Sequence, residues 1–438
     1  MNIFSKSLLV VGLSTAGACS GPTQPDLSTP KFDSAHSIAL DGVIGGGRII
    51  TLGDDAQTIE AAIKEQLWYT VGELNGLNGV ADMRRTLISI VSKTPRDDGM
   101  FDVAYEAQLF VAWPRTAAFP ATLDMIMPAR GDWEGISAFY DAYGADEHRG
   151  KKCLAWEAHD VEQSLLWYYY RPLKDGCPLV DAQLDGANVV ARVPMTLELS
   201  SENTENKAPE YGKVWEDGKL VVTAIFGKYE SGATGDGDAG IASFQDTYSD
   251  LLANFGVPTS NNLLDGQMPD AFHDEVRLTF VTTGGELDIH LFLVNGIREV
   301  DQDFITKYNA RTQISDFVSY SGHSGLGANI RAMARMGSFV AGQYQIFMIN
   351  GCDTMAYVDY AIRDAHQAAN PDAGPNKYFD MITNAMPSYF HANSRANLAV
   401  ISGLIGKTAT YRQILSGFDI NQRAGVNGEE DNNWPQPF

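Results

Sequence analysis

The sequence predicts an α/β protein: a mostly parallel sheet flanked by helices in the C-terminal half, preceded by an α+β N-terminal domain. Three observations carry this. Residues 220–226 and 344–349 are short runs apolar on both faces, as strands covered by helices on both sides must be. Helical patterns separate such runs. The N-terminal half instead holds a hairpin pattern, residues 87–91 and 101–111 around Pro95-Arg96-Asp97-Asp98-Gly99. The 42 Gly and 18 Pro supply the turns that a strand-rich fold needs. At about 100–200 residues per domain, 438 residues make two or three domains. The chain is 44% hydrophobic and 20% charged, which excludes wholesale disorder, collagen and coiled coil. Its net charge of -23 repels phosphate backbones and excludes nucleic acid as a partner.

In the domain at 49–200, Ile59, Ile63 and Leu67 follow Asp54-Asp55 at four-residue spacing and predict a capped amphipathic helix. The hairpin comes next. Asp132 is placed to cap a helix carrying Trp133, Ile136 and Tyr140. Residues 165–170 and 189–199 read as further strands. Trp167-Tyr168-Tyr169-Tyr170 fits a strand with one aromatic face in the core; a ligand platform is the alternative. His159-Asp160 alone makes no metal site. Residues 201–213 are polar, contain a Pro and lack apolar periodicity, and read as a linker.

The domain at 214–423 alternates strands and helices. The run at 220–226 leads into a loop with four Gly at 231–240 and a helix at 243–253. Residues 276–281 and 287–294 form a hairpin-like pair around Thr283-Gly284-Gly285. A helix at 302–308 precedes a strand at 316–320, and a helix with Ile330, Met333 and Met336 on one side precedes the strand at 344–349. A helix at 355–366 follows, and 424–438 reads as a polar tail.

Residues 1–19 read as an export signal: Lys6, then an apolar and small stretch from Leu8 to Ala18, too short to span a bilayer. Ala16-x-Ala18 suits an ordinary signal peptidase; Ala16-Gly17-Ala18-Cys19 also resembles a bacterial lipobox, which implies that Cys19 is acylated and that the chain meets the membrane only through this lipid, in the cell envelope, outer-membrane-anchored or at the cell surface. Residues 20–48, rich in Ser, Thr, Pro and Asp and closing on Gly45-Gly46-Gly47, read as a flexible tether. Export permits disulfides. Cys153 and Cys177, 24 residues apart, are expected to pair, a closure worth roughly 3 kcal/mol on the chain-entropy model. Cys352 is then left over, and is either a buried thiol or a reactive one.

Its context favours chemistry. His323 and Cys352 lie 29 residues apart, each just past the end of a predicted strand. One strand–helix–strand unit is about 30 residues and returns both strand ends to one sheet edge. That carboxyl edge is where open α/β sheets place their sites. A thiol needs a base nearby to react at neutral pH, and the dipole of a helix starting at Cys352 would lower its pKa further. Gly322, Gly325, Gly327 and Gly351 let the backbone come close to a substrate and offer N–H groups to an oxyanion. Asp353 could cap the following helix or, with Thr354, line a pocket. Asp316 shares the strand before His323 but sits at its far end.

Tyr320-Ser321-Gly322-His323 after one strand, and residues 346–349 leading into Asn350-Gly351-Cys352-Asp353-Thr354, resemble the two signatures of clan CD cysteine peptidases, the caspase, gingipain and CHAT group. The resemblance covers about residues 215–410 and implies a caspase-like sheet, His323 as general base, Cys352 as nucleophile, and an oxyanion site from backbone near Ser324, Gly325 and Gly351. It implies a peptide or protein substrate and no metal or organic cofactor. Ser324 stands where members commonly carry Gly, and the caspase Q-A-C-x-G pattern is absent.

Two other readings remain open. Gly322-His323-Ser324-Gly325-Leu326-Gly327 nearly matches the nucleophile elbow of α/β-hydrolases, with Ser324 as nucleophile and His366 or His391 as base in a serine esterase or lipase. In the other, the chain is a non-catalytic surface lipoprotein and both residues are merely packed. His273, His290, His366 and His391 lack partners at metal-ligand spacing.

Overall fold

The computed structural model describes residues 31–144, 153–156, 158, 161–179, 189–374 and 376–428. They form a mixed α/β protein with two sheets. The first is antiparallel, built from β1 (Ser37–Thr51), β2 (Val80–Pro95), β3 (Phe101–Pro114), β4 (Thr122–Pro128) and β5 (Val190–Leu199) in the order β2-β3-β1-β5-β4. Helix α1 (Ala56–Asn75) covers one face. Asp55 caps it by accepting from the Thr58 N–H, and Ile59, Ile63 and Leu67 are buried at the predicted spacing. Helix α2 (Trp133–Tyr143) is capped by Asp132 as expected. Cys153 and Cys177 form the expected disulfide.

Residues 165–170 do not form a strand. They make a short 3-10 turn and the single-turn helix α3 (Leu166–Tyr169). The aromatic run is packed against α1 rather than paired in a sheet: a Cβ on Gly72 would fall 2.1 Å from the Trp167 carbonyl, so only glycine lets the two backbones approach this closely.

After helix α4 (Tyr211–Val214), the second sheet takes β6 (Lys219–Gly227), β7 (Ser260–Asn261), β8 (Glu275–Val281), β9 (Glu286–Val294), β10 (Phe317–Ser321), β11 (Gln345–Asn350), β12 (Phe379–Asn384) and β13 (Ala424–Gly428). Its order is β13-β12-β11-β10-β6-β9-β8-β7. The run β12-β11-β10-β6-β9 is parallel and the edges are antiparallel. Side chains alternate between two cores. Val222, Ala224, Ile346 and Met348 face α5 (Ala239–Phe255) and α10 (Asn393–Gly406), while Val318, Tyr320, Phe347 and Ile349 face α6 (Gln302–Thr312) and α7 (Ala328–Arg335). That two-sided burial is what the doubly apolar runs announced.

Four expectations about the connections change. The tether at 20–48 is already part of the body from residue 31: Phe32 is buried, Asp33 exchanges backbone bonds with Val426, and β1 begins at Ser37. Its three glycines lie where the register of β1 on β3 shifts. The linker at 201–213 carries Lys207, 1% exposed and bonded to Asp380 at 3.1 Å, so it is nailed to β12. The tail at 424–438 opens with β13, which completes the sheet edge. The helix at 355–366 breaks into α8 (Thr354–Tyr357) and α9 (Ala361–Ala369). Met355, Ala356 and Tyr357 join the core of the N-terminal half, whereas Ile362 joins the core beneath α7. One straight helix cannot point at both.

Candidate active site

The carboxyl ends of β6, β10, β11 and β12 meet at one edge, and β6/β10 is where the strand order reverses. Such a switch point opens a crevice in an α/β sheet. Ser321 pairs with Asn350 in register, so His323 and Cys352 each lie two residues beyond a matched pair. The turns touch. The Gly322 N–H donates to the Asn350 carbonyl at 3.1 Å, and the Ser324 hydroxyl to the Cys352 carbonyl at 3.2 Å. A Cβ on Gly351 would lie 2.8 Å from the Gly322 carbonyl, so glycine there is a condition of the contact.

His323 is exposed and held by neighbours from two other strand ends. Its Nε2 lies 3.0 Å from the Tyr229 carbonyl, just past β6. A carbonyl only accepts, so Nε2 carries the proton and Nδ1 of the neutral ring is left as the acceptor. The ring packs between Tyr229 and Phe390, with centroids 5.2 and 5.5 Å away. Phe390 follows β12.

Cys352 is a free, half-buried cysteine. Burial pushes its thiol up to about 11, and the neighbouring Asp353 charge pushes the same way. The Tyr168 hydroxyl and the Ser388 backbone N–H, whose hydrogen bond goes to the Gly351 carbonyl at 3.3 Å, pull back toward the thiolate. This reverses the expected lowering by a helix dipole. The helix after Cys352 is the four-residue α8, too short to build a dipole that outweighs burial. Among the described residues no hydrogen bond joins the imidazole to the thiol.

Asp353 is buried in the left-handed region at φ 47°, a strained position for a residue other than glycine. It flanks α8 but its side chain caps nothing. Instead its carboxylate accepts from the Asn75 amide at 3.0 Å, at the end of α1. The Thr354 hydroxyl donates to the Ile349 carbonyl at 2.9 Å and accepts from the Asn384 N–H at 2.8 Å, which ties β11 to β12. Gly325, Leu326 and Gly327 are all left-handed, so the turn after Ser324 coils sharply before α7. Among the described residues the backbone N–H groups of Ser324 and Cys352 have no protein acceptor, which leaves two donors at the rim.

The remaining candidates fall elsewhere. The Asp316 carboxylate accepts from the Val221 N–H at 2.8 Å, at the opposite end of the sheet from His323. The Ser324 hydroxyl bonds to the Cys352 carbonyl and the Tyr357 hydroxyl, and no imidazole reaches it among the described residues. His366 is buried beside Asn370, and His391 stacks on Tyr389. His290 lies on β9 next to Asp288, and His273 beside Asp270 on a loop. No group of three His, Cys, Asp or Glu suited to a metal occurs among the described residues. Cys19, His159 and Asp160 lie outside the described residues.

Sequence reasoning missed Tyr229, Phe390, Ser388 and Asn75, and it weighed Tyr168 only within the aromatic run, as part of a strand or a ligand platform. The first three had a signal, since each follows a strand of the same parallel set. Asn75 had none, because it belongs to the other half of the chain, and for the same reason nothing linked Tyr168 to Cys352. Comparison with family models, with curated proteins and with solved structures gave no match.

Proposed function

We propose that this chain is a latent cysteine hydrolase of caspase-like build that cleaves peptide bonds, exported and anchored through a lipid on Cys19. The observation that carries the reading is the register of β10 on β11, which sets His323 and Cys352 at matching positions on touching turns. Support also comes from the parallel run of strands with the imidazole after one and the thiol after the next. The Tyr229 carbonyl adds to it by leaving Nδ1 as the basic nitrogen. The Cys153–Cys177 disulfide fits an oxidising compartment.

In the working state Nδ1 of His323 takes the thiol proton and the thiolate adds to the peptide carbonyl carbon. The oxyanion so formed is held by the Ser324 and Cys352 N–H groups. The imidazolium returns its proton to the leaving amine as the C–N bond breaks. Water then adds to the thioester and releases the acid and the thiol. The resting arrangement opposes this, because a thiol pushed up to about 11 is almost wholly protonated at neutral pH. The burial that keeps the thiol protonated therefore has to be relieved first.

The expected result is that a peptide aldehyde or chloromethyl ketone modifies Cys352, and that Cys352→Ala and His323→Ala each lower peptide hydrolysis at least a thousandfold. Activity that survives Cys352→Ala but not Ser324→Ala would transfer the chemistry to serine. One feature favours a second, non-catalytic reading: burial of the half-buried Cys352 pushes its thiol toward the protonated form. That reading expects no inhibitor adduct on Cys352 under any condition that keeps the chain folded. The anchor is checked separately. Cys19→Ser is expected to shift the protein from the membrane fraction to the soluble one, and retention in the membrane fraction would overturn it.

A further inference from the structure

A cavity of about 580 Å³ lies between the two halves of the chain; Cys352 is not in its lining, but residues that neighbour the Cys352 turn are. Its walls include Asn75, whose amide holds Asp353, and Met386, Pro387 and Tyr389, which flank the Ser388 whose N–H donates to the Gly351 carbonyl beside Cys352. The volume lies in the range of ligand sites.

Among the described residues the charge of its lining runs against that of the protein as a whole. With 55 Asp and Glu against 32 Lys and Arg, most cations can find a carboxylate. Arg171, Lys174 and Arg423 all line this cavity. Lys174 bonds to the Leu154 carbonyl at 2.8 Å, and among the described residues neither it nor Arg423 has a carboxylate partner. Nε of Arg423 is buried without a hydrogen bond. Arg171 donates to the carbonyls of Gly72, Tyr168 and Tyr170, each at 2.9 Å, so it also builds the wall. The acid in the lining, Glu73, is fully buried, accepts from the Ile126 N–H and is held toward its neutral form by desolvation. Trp156, 85% exposed, and Tyr389, 54% exposed, offer apolar faces at the rim.

We propose that this cavity binds an acidic segment of a peptide, with carboxylate side chains on Lys174 and Arg423, and so presents the neighbouring peptide bond to Cys352. The inference rests on the peptide-hydrolase reading for the word substrate, and on the cavity's charge and place for the rest. Lys174 and Arg423, without carboxylate partners among the described residues and set beside apolar walls, suit a chain that alternates carboxylates with backbone. The overall negative charge acts against such a ligand at a distance, but it is screened beyond about 8 Å at physiological salt. Inside the cavity the local cations decide.

Calorimetric titration of the full chain, and of its Cys352→Ala form, with acetyl-hexaglutamate amide is the test. Binding is expected in both, weakening as salt rises, and at least tenfold weaker in Lys174→Ala/Arg423→Ala with an unchanged melting temperature. Equal affinity in that double variant, equal binding of a hexalysine peptide, or equally tight binding of free glutamate would each overturn the proposal. Arg171 is left intact because its bonds hold the wall. Binding without any thiol chemistry would sink the hydrolase reading alone. Cleavage indifferent to both cations would sink this one alone.

Discussion

Replacing Tyr168 with alanine is expected to speed alkylation of Cys352 by iodoacetamide about tenfold at pH 8. Burial holds the thiol at about 11 against an ordinary 9.0. Returning it to the ordinary range raises the thiolate fraction about a hundredfold, since each unit is a factor of ten. A less basic thiolate is also a weaker nucleophile, with a Brønsted coefficient of about 0.4–0.5, so about tenfold survives. The pH profile carries the sign. In the native chain the rate keeps climbing through pH 10, because the thiol is still mostly protonated there. In Tyr168→Ala it levels near the ordinary thiol value of 9.0.

Tyr168→Phe separates cover from hydrogen bond. The phenyl ring keeps the sulfur out of water but removes the O–H that favours the thiolate. That variant is expected to react more slowly than the native chain, the opposite direction from alanine. If alanine leaves both rate and profile unchanged while circular dichroism reports an intact fold, Tyr168 is not what silences the thiol and the latent state has another cause. The contact is placed by α3, which the glycine at 72 allows to lie on α1. The silencing group thus belongs to the half of the chain that carries none of the proposed chemistry.

That division marks what the sequence could reveal. Burial on both faces of 220–226 and 344–349 is a property of the segments themselves, so both strands were legible from apolar runs alone. So was the edge on which His323 and Cys352 fall, because a crossover of fixed hand returns strand ends to one side. The state of Cys352 was not legible. It depends on Tyr168, 184 positions earlier in the chain, and on Asn75 holding Asp353 from α1. The aromatic run at 167–170 has a composition equally suited to a strand, and only the close approach at Gly72 decides for a helical turn. The same reason hides the break after Tyr357: α8 and α9 serve different cores, and local periodicity cannot say which core a turn will find.

The largest loss of stability is expected from Lys207→Met. Lys207 and Asp380 are each 1% exposed and lie 3.1 Å apart. Asp380 also accepts from the Tyr344 and Tyr411 hydroxyls, the latter at 2.7 Å. Removing the lysine charge keeps those two donors but strands a carboxylate where water cannot reach it. Breaking a buried pair from one side costs about 3–5 kcal/mol, a large part of the 5–15 kcal/mol that holds a typical domain. The denaturant midpoint should fall with an unchanged slope, because the surface exposed on unfolding stays the same. Lys207→Met/Asp380→Asn should recover more than half of the loss, since neither charge remains and the amide oxygen still accepts from both tyrosines. A single-variant cost below about 1 kcal/mol, the level of an exposed pair, would mean that residues 201–213 are only laid against β12 rather than pinned to it. The pin also bears on the site, because β12 leads into Ser388, which bonds the Gly351 carbonyl next to Cys352, and Phe390, which packs on the imidazole. A chain that loses it should therefore lose the ordering of Cys352 and His323 before it unfolds as a whole.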